Sequence, residues 1–171
     1  MVNDNIRLIE DEESKRKLAE MYSLFYRETE ADGDFCLDDK EAIDTMVSSI
    51  GNSQNKWGYF VDNSRGDPVG FILCHRYTNA ASSYIKPGDV EIESFVERGE
   101  RGKGLGKLLK NAATDSIAEM AKGPARVLSF VESTNETNLA VLRKTGFSEI
   151  KGSGYTGDPG RMYSIYARDI D

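Results

Sequence analysis

The chain reads as one mixed α/β (α+β) domain over residues 1–171, a mostly antiparallel sheet flanked by about four helices. Three observations predict it. The length of 171 residues is about one domain's worth, at roughly 100–200 residues each. Apolar stripes of helical period and segments of period two follow one another in the order β-α-α-β-β-β-α-β-α-β-β. No internal repeat, low-complexity tract or interdomain linker breaks that order.

The elements are justified in turn. Asn5–Glu10 alternates as a short first strand. From Glu12 to about Arg27, Leu18, Met21, Tyr22, Phe25 and Tyr26 recur at helical spacing, and Asp32, Gly33 and Asp34 end that helix. A second helix starts after Leu37 or Asp38. Asp38, Asp39 and Glu41 complement its positive end, Ile43, Met46, Val47 and Ile50 form its stripe, and Gly51 caps it. Trp57–Asp62 and Val69–Arg76 form a hairpin around the turn-rich N-S-R-G-D-P stretch. Val90–Val96 is a strand of alternating pattern, V-E-I-E-S-F-V, that places Glu91 and Glu93 on the face opposite Ile92. A glycine-rich stretch, Gly99–Gly106, leads into a helix that runs to about Ala121 and stops at Gly123-Pro124. Ala125–Val131 is a strand, Asn135–Thr145 a helix capped by Gly146. Phe147–Lys151 and Met162–Arg168 are the last strands, separated by a Gly/Asp/Pro loop.

Composition narrows the function. Two cysteines, Cys36 and Cys74, give no disulfide framework and no C-x-x-C pair. A single histidine, His75, argues against a zinc-type centre, and we expect no metal. A formal net charge of −7 argues against general nucleic-acid binding. No window approaches the ~18 consecutive apolar residues of a membrane span, and the first residues lack a secretory signal's build. The expectation is a cytoplasmic protein with no nucleic-acid or membrane partner. Charge is uneven, however. Residues 1–50 hold 14 Asp/Glu against 6 Lys/Arg, whereas residues 97–110 hold Arg98, Arg101, Lys103, Lys107 and Lys110 against Glu97 and Glu100. A solvated surface accounts for this as well as a two-faced site does, one face drawing anions and the other cations.

The stretch that carries chemistry is Val96 to Asn111, V-E-R-G-E-R-G-K-G-L-G-K-L-L-K-N. A strand enters a loop with Gly102, Gly104 and Gly106, then an amphipathic helix. The unpaired N–H groups and positive dipole end of a helix start form an anion site suited to phosphates. Glycine lets the backbone approach a ligand closely. Two familiar phosphate loops are excluded. A P-loop needs Ser or Thr after Gly106-Lys107, where Leu108 stands, and a glycine where Arg101 stands. A G-x-G-x-x-G fingerprint would end at Lys107 or Leu109.

What the stretch matches is R-x-x-G-x-G, Arg101 to Gly106, five residues after Val96. With the later V-x-x-x-N…G-F pattern, from Val131 through Asn135 to Gly146-Phe147, it resembles the GNAT acetyltransferase superfamily over nearly the whole chain. The resemblance implies a GNAT-like fold with acetyl-CoA as cosubstrate. Main-chain groups of Phe95 and Val96 would then hold the pantetheine arm. The segment Arg101, Gly102, Lys103, Gly104, Leu105, Gly106 and Lys107 would hold the pyrophosphate, and Asn135 would reach the cofactor from the second motif. One departure matters: Leu142 stands where many members carry the tyrosine that protonates the departing thiolate, and Asn138 stands where alanine is common. Tyr77, Tyr155 and Tyr163 are substitutes only by lying near site-lining loops.

Acetyl transfer to an amine needs the neutral amine, about 4–5 kcal/mol uphill for a lysine-like group at pH 7. A carboxylate can take that proton directly or through water. The family often draws this base from the strand before the loop, so Glu93 and Glu91 are the candidates, Glu93 first as nearer the thioester. The resemblance puts the acceptor between the first two helices and the loop joining the last two strands. Glu28, Glu30, Asp32 and Asp34 there predict a cationic small-molecule amine such as a polyamine or aminoglycoside. A lysine side chain or peptide N-terminus is the alternative acceptor, a non-catalytic acyl-CoA sensor the alternative role, and a homodimer is compatible with either.

Overall fold

The computed structural model describes residues 5–30, 40–51, 54–121, 123–156 and 161–170, without the side chains of 26–30, 40–42 and 46. In chain order the elements are β1 (Ile6–Leu8), α1 (Glu12–Glu30), α2 (Lys40–Ser49), β2 (Lys56–Asp62), β3 (Pro68–Arg76) and β4 (Val90–Val96). After a single turn of 3₁₀ helix, Arg98–Glu100, come α3 (Leu105–Met120), β5 (Ala125–Glu132), α4 (Glu136–Lys144), β6 (Ser148–Glu149), β7 (Tyr155–Thr156) and β8 (Met162–Ile170). The strands form one sheet in the order β1-β2-β3-β4-β5-β8-β6, with β7 also on β8. Every pairing is antiparallel except β4 with β5. This is the mixed, mostly antiparallel fold that the element order predicts. Among the described residues no helix is long and apolar enough to cross a membrane.

Period two and period 3.6 meet on both faces of the sheet. One face packs Trp57, Val61, Ile72, Ile92, Val127 and Val131 beneath Leu109, Ala113 and Ile117 of α3 and Leu139 and Leu142 of α4. The other packs Phe60, Phe71, Leu73 and Phe95 beneath Leu18, Met21 and Tyr22 of α1 and Ile43 and Val47 of α2. Glu91 and Glu93 therefore look toward the α1 side, as their alternation with Ile92 predicts. Gly70 of β3 lies where the strands press close. A Cβ there would stand 2.7 Å from the Phe95 carbonyl oxygen, 2.9 Å from Val61 and 3.2 Å from Val96.

Element ends depart from the sequence expectation in places. The first strand is three residues long, although Asp62 N–H to Asn5 O and Ile9 N–H to Gly58 O extend its bonding at both ends. The first helix runs on to Glu30, past the predicted Arg27. Where a strand is predicted over Phe147–Lys151, Ser148 and Glu149 pair with Ala167 and Tyr166 and Ile150 N–H adds a bond to Ile165 O; Phe147 turns into the core. Gly152, at φ +78°, bends the chain back. Ser153 bridges to Ile165 through its hydroxyl. Tyr155–Thr156, in the predicted loop, then returns to β8 beside Tyr163 and Met162. Residues 31–39, which include Asp32, Asp34, Cys36, Asp38 and Asp39, lie outside the described residues.

Candidate active site

The site begins with a parting of strands. β4 and β5 pair only at Val90–Val127 and Glu91–Leu128, yet they continue to Val96 and Glu132. Past Glu91 the two diverge, and among the described residues no strand fills the gap. Glu97 N–H donates to Val69 O on the β3 side. Strand alternation therefore turns the main-chain groups of Phe95 toward β3 and those of Ser94 and Val96 toward the gap. Of the two predicted main-chain contacts, Val96 faces the gap and Phe95 faces β3. The phenyl ring of Phe95 is buried against α1.

The glycine-rich loop stands at the mouth of this gap. Gly102 and Gly104 have φ of +80° and +84°, conformations that L side chains rarely adopt. A Cβ at Gly102, Gly104 or Gly106 would meet nothing within 4 Å, so the loop is open to a ligand. The first intrahelical bond runs from Leu108 N–H to Gly104 O. The N–H groups of Leu105, Gly106 and Lys107 precede it and are left for an anion, with the helix dipole behind them. Arg101 moors the loop to the strand: its Nε donates to Val96 O at 2.8 Å and its guanidinium lies 5.8 Å from the Phe95 ring centre. Lys103 pairs with Glu100 at 2.7 Å, and Lys107 is exposed. These residues fit a diphosphate-bearing cofactor with an extended arm: amides and cations at the mouth, and within it a strand edge on which Arg101 takes the Val96 carbonyl.

On the opposite face of the sheet the two glutamates each receive a tyrosine hydroxyl. Tyr22 of α1 donates to Glu93 at 2.5 Å, and Tyr77 donates to Glu91 at 2.5 Å. Removal from water pushes the Glu93 carboxyl above its ordinary range; the Tyr22 bond pulls it down and the nearby Glu91 charge adds to the rise. Burial, reinforced by Glu91, pushes the Tyr77 hydroxyl far up, so it stays a donor. Aromatic rings wall both pairs. Tyr22 stacks on Phe71 at 5.4 Å, Phe25 meets Phe95 edge-on at 5.5 Å, and Tyr155 stacks on Tyr163 at 5.5 Å. His75 lies 4.9 Å from Tyr77. Carboxylates beneath aromatic faces suit an ammonium group.

The remaining predicted residues have plain positions. Asn135 caps α4, its side-chain oxygen accepting from Asn138 N–H at 3.0 Å. Leu142 is wholly buried between α4 and the sheet. Cys74 is a buried free thiol whose pKa burial raises. The acidic side chains of Glu28, Glu30, Asp32 and Asp34 are outside the described set. Sequence reasoning missed Tyr22, which it read only as part of a helical stripe, and Ser94 with its partner Lys110. Among the described residues no group of three or more His, Cys, Asp or Glu is placed to hold a metal.

The model of the Acetyltransferase (GNAT) family matches residues 16–147. Solved structures resemble the chain over nearly its whole length. An acetyltransferase from Salmonella typhimurium with its cofactor acetyl-CoA is 15% identical with a TM-score of 0.76, covering 99% of this chain and 95% of that one. A phosphinothricin acetyltransferase from Sinorhizobium meliloti in complex with acetyl-CoA is 16% identical at 0.75, covering 97% and 89%. A spermidine N-acetyltransferase from Vibrio cholerae with CoA and spermine is 12% identical at 0.72, covering 97% and 96%. At these identities the likeness is one of fold. No curated protein sequence matches the chain.

Proposed function

The chain belongs to the GNAT acetyltransferase family, and from that premise we propose that it transfers the acetyl group of acetyl-CoA to a primary amine of a cationic small molecule. The observation that carries this reading is the parting of β4 from β5 past Glu91, with the open loop Arg101–Lys107 at its mouth. The N–H groups of that loop and of the first turn of α3 hold the diphosphate. The Val96 and Ser94 edge holds the arm, and Asn135, at the start of α4, reaches the cofactor from the second motif. Acetyl-CoA supplies an activated acyl group on a thiol leaving group, and the protein's own task is to present a neutral amine to it. Val96 N–H, fixed by the strand, is a donor for charge that develops on the acyl oxygen.

Glu93, and Glu91 beside it, take the amine proton. A carboxylate with a raised pKa and a donor fixed at 2.5 Å is better matched to that task than a solvated one. The amine attacks directly, in a ternary complex. The two carboxylates and the rings of Tyr22, Tyr77 and Tyr155 support a polycationic acceptor, such as a polyamine or aminoglycoside. The reading places the enzyme in the reducing cytoplasm, in keeping with the free thiol of Cys74.

The test is calorimetry with acetyl-CoA, followed by a screen of acceptors scored by thiol release. Micromolar binding and faster release with polyamines than with neutral amines or lysine peptides support the reading. A strict preference for neutral or acidic acceptors refutes the charge argument, and faster release with lysine peptides moves the acceptor to protein.

A further inference from the structure

Lys110 has no role in the site as built so far, and its surroundings are unusual for a lysine. It lies on α3 with 1% of its surface exposed, where an ammonium is costly unless something replaces its water. Nζ donates to the Ser94 hydroxyl at 2.9 Å, and Ser94 is its only hydrogen-bond partner among the described residues. No carboxylate lies on the side of β2, β3, β4 or β5 that α3 covers. Ser94 belongs to the free edge of β4, its main chain turned to the gap. The ammonium therefore stands beside a residue of that strand edge, with two of its three N–H donors unspent.

We propose that Lys110 is the acid that delivers a proton to the departing thiolate of the acyl donor. This rests on the reading of the gap as the seat of an acyl-CoA arm. In the step, the acceptor nitrogen forms a bond to the acyl carbon and the carbon–sulfur bond breaks. The electron pair stays on sulfur, and one N–H proton of Lys110 passes to it, giving a thiol and a neutral lysine amine. The amine recovers a proton from solvent after the thiol leaves, while the proton lost by the acceptor goes to Glu93. Leu142 is sealed in the core and donates nothing. Lys110 of α3 bonds Ser94, whose main chain borders the gap.

Burial lowers the Lys110 pKa to about 8, near the ~8.5 of a free thiol, so proton transfer between them is close to balanced. The titratable groups in the layer that α3 covers are Tyr59 of β2, bonded to Ser116 at 2.6 Å, Cys74 of β3 and Tyr166 of β8. Burial raises the pKa of Tyr59 and Cys74, with Glu119 of α3 adding to the rise at Tyr59, so these two stay neutral across this range. From β4 come Ile92 and Ser94, from β5 Val127, Ser129 and Val131, and from α4 Leu139 and Leu142, none of which titrates.

The test compares kcat against pH for wild type, Lys110→Met and Lys110→Arg. Wild-type kcat falls above a pH of about 8 as Lys110 loses its proton. Lys110→Met lowers kcat at pH 7.5 by about tenfold or more, removes that fall, and leaves acetyl-CoA affinity by calorimetry unchanged. In Lys110→Arg, whose guanidinium keeps its proton, the fall near 8 also disappears. A Met variant that binds acetyl-CoA and keeps both wild-type kcat and the alkaline fall overturns this proposal and leaves acetyl transfer standing. Should Lys110→Met not fold, persistence of the fall near 8 in Lys110→Arg overturns it. Failure of the wild type to bind acetyl-CoA at all overturns the underlying reading instead.

Discussion

Tyr22→Phe removes one oxygen from the helix–strand contact at Glu93. The ring remains, with its neighbours Phe71 at 5.4 Å and Phe25 at 5.6 Å, so the packing of α1 on β3 and β4 survives. What goes is the 2.5 Å bond that favours the ionised carboxylate. A hydrogen bond to a charged group is worth about 1.5–3 kcal/mol, and one pKa unit is about 1.4 kcal/mol. The Glu93 pKa, already raised by burial, climbs further without that bond. A base works only when ionised, so the rising limb of kcat/KM moves to higher pH. Activity falls about 10–100-fold below the limb and recovers above it. Stability follows the same sign. A carboxyl raised in the folded state holds its proton more tightly there than in the unfolded chain. Stability is therefore lost as pH rises from the ordinary carboxyl value of 4.5 through the folded value, and more is lost in the variant. Thiol-release rates across pH, beside melting curves, make the measurement. A folded Tyr22→Phe enzyme whose limb stays at the wild-type position refutes the assignment of Glu93 as the base that Tyr22 tunes.

Three further outcomes are expected. Glu93→Gln lowers kcat near neutral pH by about 10²–10⁴-fold and leaves the acetyl-CoA dissociation constant from calorimetry unaltered; an undiminished rate reassigns the base to Glu91. Gly104→Val forces a branched residue to φ +84°, at a cost of about 1–2 kcal/mol, and weakens acetyl-CoA binding about tenfold, so an unchanged constant contradicts the register of the loop. Arg126→Met takes from Asp89, which is 5% exposed, the guanidinium that also donates to Tyr84 O at 2.6 Å, and leaves that carboxylate the Lys86 N–H alone among the described residues. Breaking such a pair costs about 3–5 kcal/mol, seen as a lower melting temperature, with a wild-type melting curve as the contrary result.

Much of this architecture was legible because local pattern and tertiary demand agreed. The fourth strand reads off its V-E-I-E-S-F-V alternation because each alternate residue meets a different helical layer. The loop reads off its glycines because a positive φ leaves few other choices. Asn135 reads off as a helix start because its side chain caps the next turn. The parting of β4 and β5 was not legible, since it is a failure of pairing between segments some 35 residues apart, with no local signal in either. Nor was Lys110. In the string K-L-L-K-N it looks like Lys107, a rim cation, and only the crossing of α3 over Ser94 buries one and exposes the other. Tyr22 hid for a related reason, its ring belonging to the core and its oxygen to the site. The short strands β6 and β7 were blurred because two fragments share the edge of β8, with a bend at Gly152 that period-two reading passes over.

The closeness at Gly70 has an implication for how the cleft keeps its width. The strand that forms one lip of the opening is backed by a residue with no side chain, at distances of 2.7–3.2 Å for a hypothetical methyl. Even alanine at that point would shoulder Phe95 and Val96 sideways, narrowing the slot from the rear with no ligand-touching atom changed. The aperture is thus calibrated from behind, by an absence of bulk two strands away from β5.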